Sequence, residues 1–326
     1  MWFVAQESTD PLPRLVEARG SVCVCPNLRN SGWGQLGDGT TTHRSVPGVV
    51  EGGHVFDSVV AGRGHTAGRT VDGRLLAWGS GGNGETGDGD GVTTSTPVPA
   101  SGGHRYSSHG GTGHTVYGIR TSGALTCWGR NNTGQVGDGT VTCTSLSQSC
   151  LATKASPSLV APGETFGTVS GGARISNGWG GGSTCAVTTE GTGFCWGMTS
   201  SGQLGEGSTT QFATPVPVSG GQVWDTIDVG SAAACGLVDT GQVFCWGYGG
   251  RGIIGDGARE NRSTPAAVSA ALLFDQISVG FDHACGLTDE GGFYCWGANS
   301  SGQLRDGTAI DRDVPWNVAL DVALGG

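Results

Sequence analysis

The segment Cys195-Trp196-Gly197, followed by Gly202-Gln203-Leu204-Gly205-Glu206-Gly207, decides the fold because versions of both motifs recur along the chain. Regularly placed tryptophan-glycine pairs begin at positions 78, 128, 196, 246 and 296, so the intervals are 50, 68, 50 and 50 residues. A fixed period of about 20 to 50 residues is typical of repeat architectures. The sequence therefore predicts one repeating unit rather than several unrelated domains.

Each repeat contains four short segments with the pattern of β-strands. In the last repeat we expect strands at Phe274–Val279, His283–Thr288 and Gly292–Trp296, and a fourth near Ala309–Val318. Four-stranded units of this length are typical of propeller blades. The prediction is an all-β fold, with one β-propeller domain over residues 1–326 and repeats at approximately 1–52, 53–102, 103–162, 163–220, 221–270 and 271–326.

Three places depart from the regular repeat. Ten extra residues lie between Gly139 and Pro157 and eight lie within Ser170 to Ser183, which together explain the 68-residue interval. The first repeat keeps the turn 34–39 but lacks the tryptophan-glycine pair at the end of the third strand, where Cys25-Pro26 or Leu28-Arg29 stands instead. Function tends to reside in loops that depart from a regular scaffold. We therefore expect the inserted segments, Val141 to Ser156 and Ser170 to Ser183, to matter most for function.

Three motifs resemble the regulator-of-chromosome-condensation repeat family: Gly62-Arg63-Gly64-His65-Thr66, Trp128-Gly129 and Gly34-Gln35-Leu36-Gly37-Asp38-Gly39. Propellers of this family typically have seven blades, so the resemblance implies either a six-bladed variant or a seven-bladed member lacking one repeat. It implies no single activity, because the family includes nucleotide exchange on a small GTPase, photoreception through tryptophan clusters and secreted inhibition of β-lactamases. Photoreception fits least, since the tryptophan-rich form of the first motif is absent.

Six of the eleven cysteines form pairs spaced ten residues apart within a repeat: Cys185 with Cys195, Cys235 with Cys245 and Cys285 with Cys295. In an antiparallel hairpin centred on residue 290, the last two face each other at about the Cα separation that a disulfide accepts. We expect three disulfides within blades and a fourth between Cys143 and Cys150. Buried free thiols are the alternative, because cysteine also packs as a small apolar residue. A zinc site is disfavoured because no set of four ligands is evident.

The remaining cysteines, Cys23, Cys25 and Cys127, have no predicted disulfide partner, and Cys127 should face Tyr117. Disulfides are typical of oxidising compartments. The paired cysteines therefore favour an extracellular or periplasmic protein and an extracellular, bacterial-like variety of the family, with the cytoplasm as the alternative. Residues 1–7 do not have the pattern of a secretory signal, so we expect any signal to lie outside this chain.

Composition disfavours several functional classes. The net charge is −10 and Lys154 is the single lysine, which disfavours binding to nucleic-acid phosphates. No apolar stretch reaches the roughly 18 residues that cross a bilayer. Asp88-Gly89-Asp90-Gly91 lacks the ligand spacing of a calcium loop, and no catalytic constellation stands apart from the repeat pattern. We therefore expect no membrane insertion, no enzyme activity, no metal site and no cofactor.

A histidine recurs at one repeat position, as His65 and His283, where other repeats have Ser183 and Ala233. Because the position is not uniformly histidine, a shared catalytic role is disfavoured. We expect this histidine to donate a hydrogen bond to a neighbouring blade.

Eight of the ten tryptophans fall into two groups. Five follow the repeat and should be blade core: Trp78, Trp128, Trp196, Trp246 and Trp296. Trp33, Trp179 and Trp316 break the pattern. A tryptophan in an irregular loop either anchors an interface or folds back onto its own blade. The candidate interaction residues, within or beside the insertions, are Trp179, Arg174, Asn177 and Lys154.

These observations favour a non-enzymatic binding or scaffold propeller that engages a protein or surface ligand through its rim loops. One alternative is a guanine nucleotide exchange factor for a small GTPase, which paired cysteines and an acidic composition make less suitable. The other is a secreted enzyme inhibitor, for which the sequence carries no specific signal.

Overall fold

The structure is a computed structural model that describes the backbone of residues 31–140, 152–176, 179–269 and 271–318 and of three short segments, 2–3, 16–17 and 22–23. Side chains are described in the four long ranges except at 174–176 and 179–180. Five four-stranded antiparallel sheets make up most of the described chain. The predicted all-β fold class is confirmed.

Each four-stranded sheet is one repeat, with its strands side by side in chain order. We number the sheets as blades by repeat. Blade 2 contains β5 (Phe56–Ala61), β6 (His65–Thr70), β7 (Leu75–Gly79) and β8 (Thr94–Pro99). Blade 3 contains β9 (Tyr106–Thr112), β10 (Thr115–Arg120), β11 (Leu125–Arg130) and β12 (Thr153–Val160). Blade 4 contains β13 (Phe166–Ser176), β14 (Trp179–Thr188), β15 (Gly193–Gly197) and β16 (Phe212–Pro217). Blade 5 contains β17 (Trp224–Val229), β18 (Ala233–Val238), β19 (Val243–Gly247) and β20 (Arg262–Ala267). Blade 6 contains β21 (Phe274–Val279), β22 (His283–Thr288), β23 (Phe293–Gly297) and β24 (Arg312–Asn317).

The first repeat differs from the others. It contains four strands of two residues each, β1 (Trp2–Phe3), β2 (Val16–Glu17), β3 (Val22–Cys23) and β4 (Gly48–Val49). Strand β1 pairs with β2, and β3 pairs with β4. Its turn at 34–39 is nevertheless of the regular kind, which agrees with the degenerate first repeat seen in the sequence.

Blade 6 tests the strand predictions directly. Its first two strands have the predicted bounds, and the third begins one residue later. Cys285 lies opposite Cys295 and Leu287 opposite Phe293, as the hairpin register predicts. The fourth strand begins at Arg312 rather than near Ala309, because the backbone N–H of Ile310 still donates to the hydroxyl of Thr308 in the preceding turn.

The five regular tryptophans join each blade to the repeat before it. Each is fully buried, and each indole Nε1 donates a hydrogen bond of 2.8–3.1 Å to a turn carbonyl in the preceding repeat. Trp246, for example, donates to the carbonyl of Gln203 at 3.0 Å. A buried indole N–H needs such a partner. The expected core tryptophans are therefore also links between blades, which we call the tryptophan latch.

A glycine in each receiving turn makes room for the latch. Gly205 has a φ of +75°, and a Cβ built there would lie 2.7 Å from Nε1 of Trp246. Equivalent glycines face the other four latch tryptophans at 2.4–2.9 Å. The last turn is different, since Arg305 occupies this position with a φ of +53°. The second glycine of the Gly-x-x-Gly motif is thus explained by the indole ring of the next blade, whereas a Cβ built on the first, Gly202, would lie 2.5 Å from the Cα of Ser263.

The two insertions differ in form. Register pairs run without a break from Thr168 opposite Val187 to Ser176 opposite Trp179, so the second insertion lengthens the hairpin of β13 and β14. It is not the irregular loop that we expected around Trp179, because the extra residues continue the ladder. The first insertion lies largely at 141–151, outside the described residues.

The loops of each blade emerge at two ends. Because neighbouring strands are antiparallel, the loops after the first and third strands share one end, which we call the upper face. The loops between the second and third strands share the opposite end, the lower face. First strands of neighbouring blades contact one another. Asp228 on β17 illustrates this, accepting hydrogen bonds from Ser170 of blade 4 and from the backbone N–H of Val279 in blade 6.

Candidate functional site

The upper face carries the second insertion and the described residues that flank the first, Thr140 and Ala152, in adjacent blades. The first lies between β11 and β12 of blade 3, and the second is the long hairpin of blade 4. The base of this hairpin contacts the blade 3 turn, since the hydroxyl of Thr133 and the backbone of Gly182 exchange hydrogen bonds of 3.3–3.4 Å. The two segments that distinguish this propeller thus lie at one end of neighbouring blades.

A small cleft lies at the base of the long hairpin. It is bounded by the upper loop of blade 3, the turn of the same blade and the hairpin, through Thr112, Gly113, His114, Thr115, Gln135, Ala173, Gly181 and Gly182. A Cβ built on Gly113 would lie 2.7 Å from the Cβ of Ala173. Close approach of backbones therefore narrows the cleft, which is suited to single side chains rather than to a large ligand.

His114 at the edge of the cleft is held by a buried carboxylate. Its Nδ1 lies 2.7 Å from Oε1 of Glu85, whose side chain is fully buried. Asn83 donates to the same carboxylate through its backbone N–H at 2.9 Å and its side-chain amide at 2.8 Å. Burial alone would raise the pKa of Glu85, but these hydrogen bonds and the neighbouring His65 lower it to about 2. Glu85 is therefore ionised, and both of its carboxylate oxygens already accept hydrogen bonds, from His114 and Asn83.

Sequence reasoning missed Glu85. In the turn Gly84-Glu85-Thr86-Gly87 it stands where the turns of the first, third, fourth and sixth repeats have glutamine. A comparison of the turns position by position would have found it, because a buried carboxylate needs a specific partner.

His65 does not behave as predicted. Its side chain is buried, and neither ring nitrogen has a hydrogen-bond partner among the described residues. Burial lowers the pKa of His65 to about 4, although the nearby Glu85 acts in the opposite direction. The expected hydrogen bond to a neighbouring blade is absent because the ring is enclosed by glycines, with Nε2 3.5 Å from a Cβ built on Gly111 of blade 3.

The predicted interaction residues are only partly described. Trp179 pairs with Ser176 through the backbone near the tip of the long hairpin, and Arg174 lies opposite Gly181 in the same hairpin. Asn177 lies outside the described residues. Lys154, at the start of β12, forms an ion pair of 2.8 Å with Asp138 in its own repeat. The structure places all but Asn177 beside the insertions on the upper face, and their role in binding stays a prediction.

The other two irregular tryptophans are both exposed. Trp33, 45% exposed, lies on the upper face, where its ring edge is 2.8 Å from a Cβ built on Gly64 of blade 2. Trp316, also 45% exposed, is stacked beneath the guanidinium of Arg312 at 4.1 Å on the outermost strand of blade 6. Of the two, only Trp33 lies on the face that carries the insertions.

Disulfides join the three pairs predicted from the spacing: Cys185 with Cys195, Cys235 with Cys245 and Cys285 with Cys295. Each pair links the second and third strands of one blade. Three disulfides suggest an oxidising environment. The predicted pair of Cys143 and Cys150 lies outside the described residues.

Cys127 is a free thiol. It lies opposite Tyr117 as predicted, and burial raises the pKa of its thiol. A buried, protonated thiol is poorly reactive. No group of three or more His, Cys, Asp or Glu side chains able to hold a metal ion is found in the described ranges. Those ranges also contain no helix long and apolar enough to cross a membrane.

Comparisons with known proteins identify the repeat. The regulator of chromosome condensation (RCC1) repeat matches residues 56–85, 240–287 and 274–303. No curated protein matches the sequence significantly.

Solved structures agree on the fold. Human WBSCR16 is 19% identical with a TM-score of 0.74, and the match covers 95% of this chain and 84% of that protein. Prp20p from Saccharomyces cerevisiae, whose structure is described together with its binding to Gsp1p and histones, is 14% identical with a TM-score of 0.50, over 90% of this chain and 85% of that protein. At these identities the likeness shows the fold alone. With its latched four-stranded blades and its matches to the repeat, the chain is a β-propeller that contains RCC1 repeats.

Proposed function

We propose that this propeller is a non-enzymatic protein-binding scaffold whose binding surface is the upper face of blades 3 and 4. The observation that carries the proposal is that the lengthened hairpin of blade 4 and the described residues that flank the first insertion, Thr140 and Ala152, belong to this one face of two adjacent blades. Loops that depart from a repeated scaffold are where recognition tends to reside.

The scaffold beneath these loops is suited to hold them in place. The latch tryptophans Trp196 and Trp246 bind blade 4 to blade 3 and blade 5 to blade 4 through buried hydrogen bonds of 3.0 Å. A rigid scaffold lowers the entropy that must be lost when a partner binds.

We also propose that the protein works outside the reducing cytoplasm, in the extracellular space or the periplasm. Three disulfides in consecutive blades support this location. The test is a count of free thiols on protein that is denatured without reduction after isolation from its natural source. Three or fewer free thiols of the eleven cysteines are expected. A count near eleven would contradict export.

Nucleotide exchange on a small GTPase is a weaker candidate. The yeast propeller Prp20p is described with its binding to Gsp1p, but the disulfides argue for a different compartment. Inhibition of a secreted enzyme is compatible with the location and with a rim-loop surface, and it would be one form of the proposed protein binding.

Replacing both insertions tests the proposed surface. In the variant, residues 141–150 are removed and the hairpin tip 174–181 is replaced by a two-residue Asn-Gly turn. Partners that co-purify with the unaltered protein from its natural source should be lost from this variant. The control is Val223→Ser with Leu273→Ser, since these exposed residues precede β17 and β21 at the lower face. Retention of every partner by the shortened variant would contradict the proposal.

A further inference from the structure

The junction between blades 2 and 3 carries two arginines that form no ion pair with a described residue, on an otherwise acidic protein. Arg63 is exposed in the upper loop of blade 2, and its backbone N–H donates to the carbonyl of Gly113 in blade 3 at 2.9 Å. Arg130 follows at the end of β11, where its backbone N–H donates to the carbonyl of His114 at 2.8 Å. Neither guanidinium has a salt bridge or hydrogen bond to a described residue, although Arg130 is attracted by Glu85 and repelled by Arg63.

Arg130 is the unusual member of this pair. Only 5% of the residue is exposed, and its Nε is buried without a hydrogen-bond partner within the described chain. A buried donor that lacks a partner costs stability. At the same repeat position the other blades have Ser80, Met198, Tyr248 and Ala298, so the fold does not require a cation there.

Glu85, the carboxylate that attracts Arg130, does not accept a hydrogen bond from either arginine side chain. Oε1 of Glu85 accepts from His114 and from the amide of Asn83, and Oε2 accepts the backbone N–H of Asn83. Two arginines and one carboxylate leave this junction with a local charge of about +1, because the buried His65 is neutral near pH 7. The whole chain carries −10.

An exposed aromatic ring completes the surface. Trp33 lies against Gly64, the residue that follows Arg63, and 45% of it is exposed. Tryptophan and arginine are the residue types that most often dominate binding energy at protein interfaces. We call Trp33, Arg63 and Arg130 the cationic junction.

We propose that the cationic junction binds carboxylate side chains of an acidic segment on a protein partner. The inference rests on the proposed function and specifies the chemistry of its partner. A carboxylate accepts two parallel N–H groups from a guanidinium and would supply the acceptors that Arg63 and Arg130 do not find among the described side chains. The ring of Trp33 would cover the apolar part of the bound segment.

The test uses two fluorescein-labelled peptides, acetyl-hexaglutamate amide and acetyl-hexaglutamine amide, titrated with the full chain by fluorescence anisotropy in 20 mM NaCl. The glutamate peptide should bind more tightly than the glutamine peptide, and 300 mM NaCl should weaken its binding because salt screens exposed charges. Arg63→Ala and Arg130→Met should each weaken glutamate-peptide binding about tenfold, the effect of losing one charged hydrogen-bonding group. Arg130→Met places at 130 the residue that blade 4 has at 198.

Arg105→Ala is the matched control, because Arg105 is half-exposed at the lower face, 3.5 Å from Asp72. It should bind the glutamate peptide as the unaltered protein does. If Arg130→Met fails to fold, Arg63→Ala still decides the matter, since Arg63 is exposed. Equal binding of the two peptides, or unaltered affinity of Arg63→Ala, would overturn the inference.

The loop-shortened variant separates this inference from the proposed function. It should lose natural partners but keep its affinity for the glutamate peptide. If the shortened variant loses its partners while Arg63→Ala binds the peptide normally, the proposed function stands and the cationic junction is wrong.

Discussion

Blades 4, 5 and 6 have a covalent bond where blades 2 and 3 have only packing. Between the second and third strands, the same pair of opposed positions holds a disulfide in blades 4, 5 and 6. In blade 2 this pair is Ala67 opposite Ala77, and in blade 3 it is Tyr117 opposite Cys127. All five blades nevertheless use the tryptophan latch. The comparison separates what the fold requires, which is the latch, from what strengthens part of it, which is the disulfide.

The half without disulfides contains a carboxylate and two histidines that are largely buried, whereas in blade 6 the buried carboxylate of Asp306 is paired with Arg312. Glu85, His65 and His109 are all in blades 2 and 3, and burial lowers the pKa of His109 to about 4. His109 also joins the two blades, with Nδ1 3.1 Å from the hydroxyl of Ser58. One half is thus held partly by covalent bonds and the other partly by polar contacts that depend on pH.

The latch should be the feature whose loss costs most in either half. Gly205→Ala and Gly87→Ala each place a Cβ within 2.7 Å of a latch indole at positive φ. Overpacking and left-handed backbone together should cost about 3 to 5 kcal/mol of unfolding free energy. Gly307→Ala is the control, because Gly307 also has positive φ but faces open space, so the variant should lose only about 1 kcal/mol. Thermal unfolding measures the difference, and equal melting temperatures for the three variants would disprove the role of the latch.

Removing a disulfide should cost somewhat less. Cys235→Ala with Cys245→Ala opens a ten-residue loop in blade 5 and should lower the unfolding free energy by about 3 kcal/mol. Cys127→Ala removes a buried sulfur that forms no bond, so it measures the packing contribution alone. A double variant no less stable than Cys127→Ala would show that the covalent bond adds nothing.

The reverse experiment adds a disulfide to the half that lacks one. Ala67→Cys with Ala77→Cys places two cysteines at buried, directly opposed positions of blade 2 that match the pairs in blades 4 to 6. After oxidation the variant should gain about 2 kcal/mol, and a reducing agent should abolish the gain. Thiol titration and melting with and without reductant test this. Persistent free thiols at 67 and 77 would mean that the two strands do not oppose each other as described.

Mild acid should act mostly through the half without disulfides, which contains His65 and His109; in blade 6, burial also lowers the pKa of His283, which is less deeply buried. The buried histidines bind fewer protons folded than unfolded, so their contribution to stability is present above about pH 6.5 and is lost as pH falls toward 4. At pH 5.5 the loss from His65 should be about 1 kcal/mol. The Glu85 contribution is lost only below about pH 4.5, because its pKa is lowered to about 2.

His65→Ala separates the histidine contribution, since Ala233 holds the same position in blade 5. Melting temperatures are measured from pH 7.5 to 5.0, and the variant should show a shallower decline than the unaltered protein. An identical decline would contradict the assignment.

The sequence predicted the blades well because their signals are local. Strand bounds, hairpin register and the three disulfides depend on residues within about ten positions of each other. The latch was not predicted, because the acceptor of Trp246 is a backbone carbonyl 43 residues earlier in another blade. The surroundings of His65 and the strand pairing at Trp179 were mispredicted for a related reason. Both depend on which other segment of backbone packs beside the residue, and the local sequence does not specify that segment.

The direction of the latch has a consequence for the order of assembly. Each tryptophan reaches back to the repeat that precedes it, so a blade emerging from the ribosome would find its docking site already synthesised. Assembly could then proceed blade by blade in the direction of translation, with each step stabilised by the nearest neighbour. Interrupting synthesis after blade 4 should leave a compact fragment whose last exposed feature is the turn around Gln203, ready to receive Trp246.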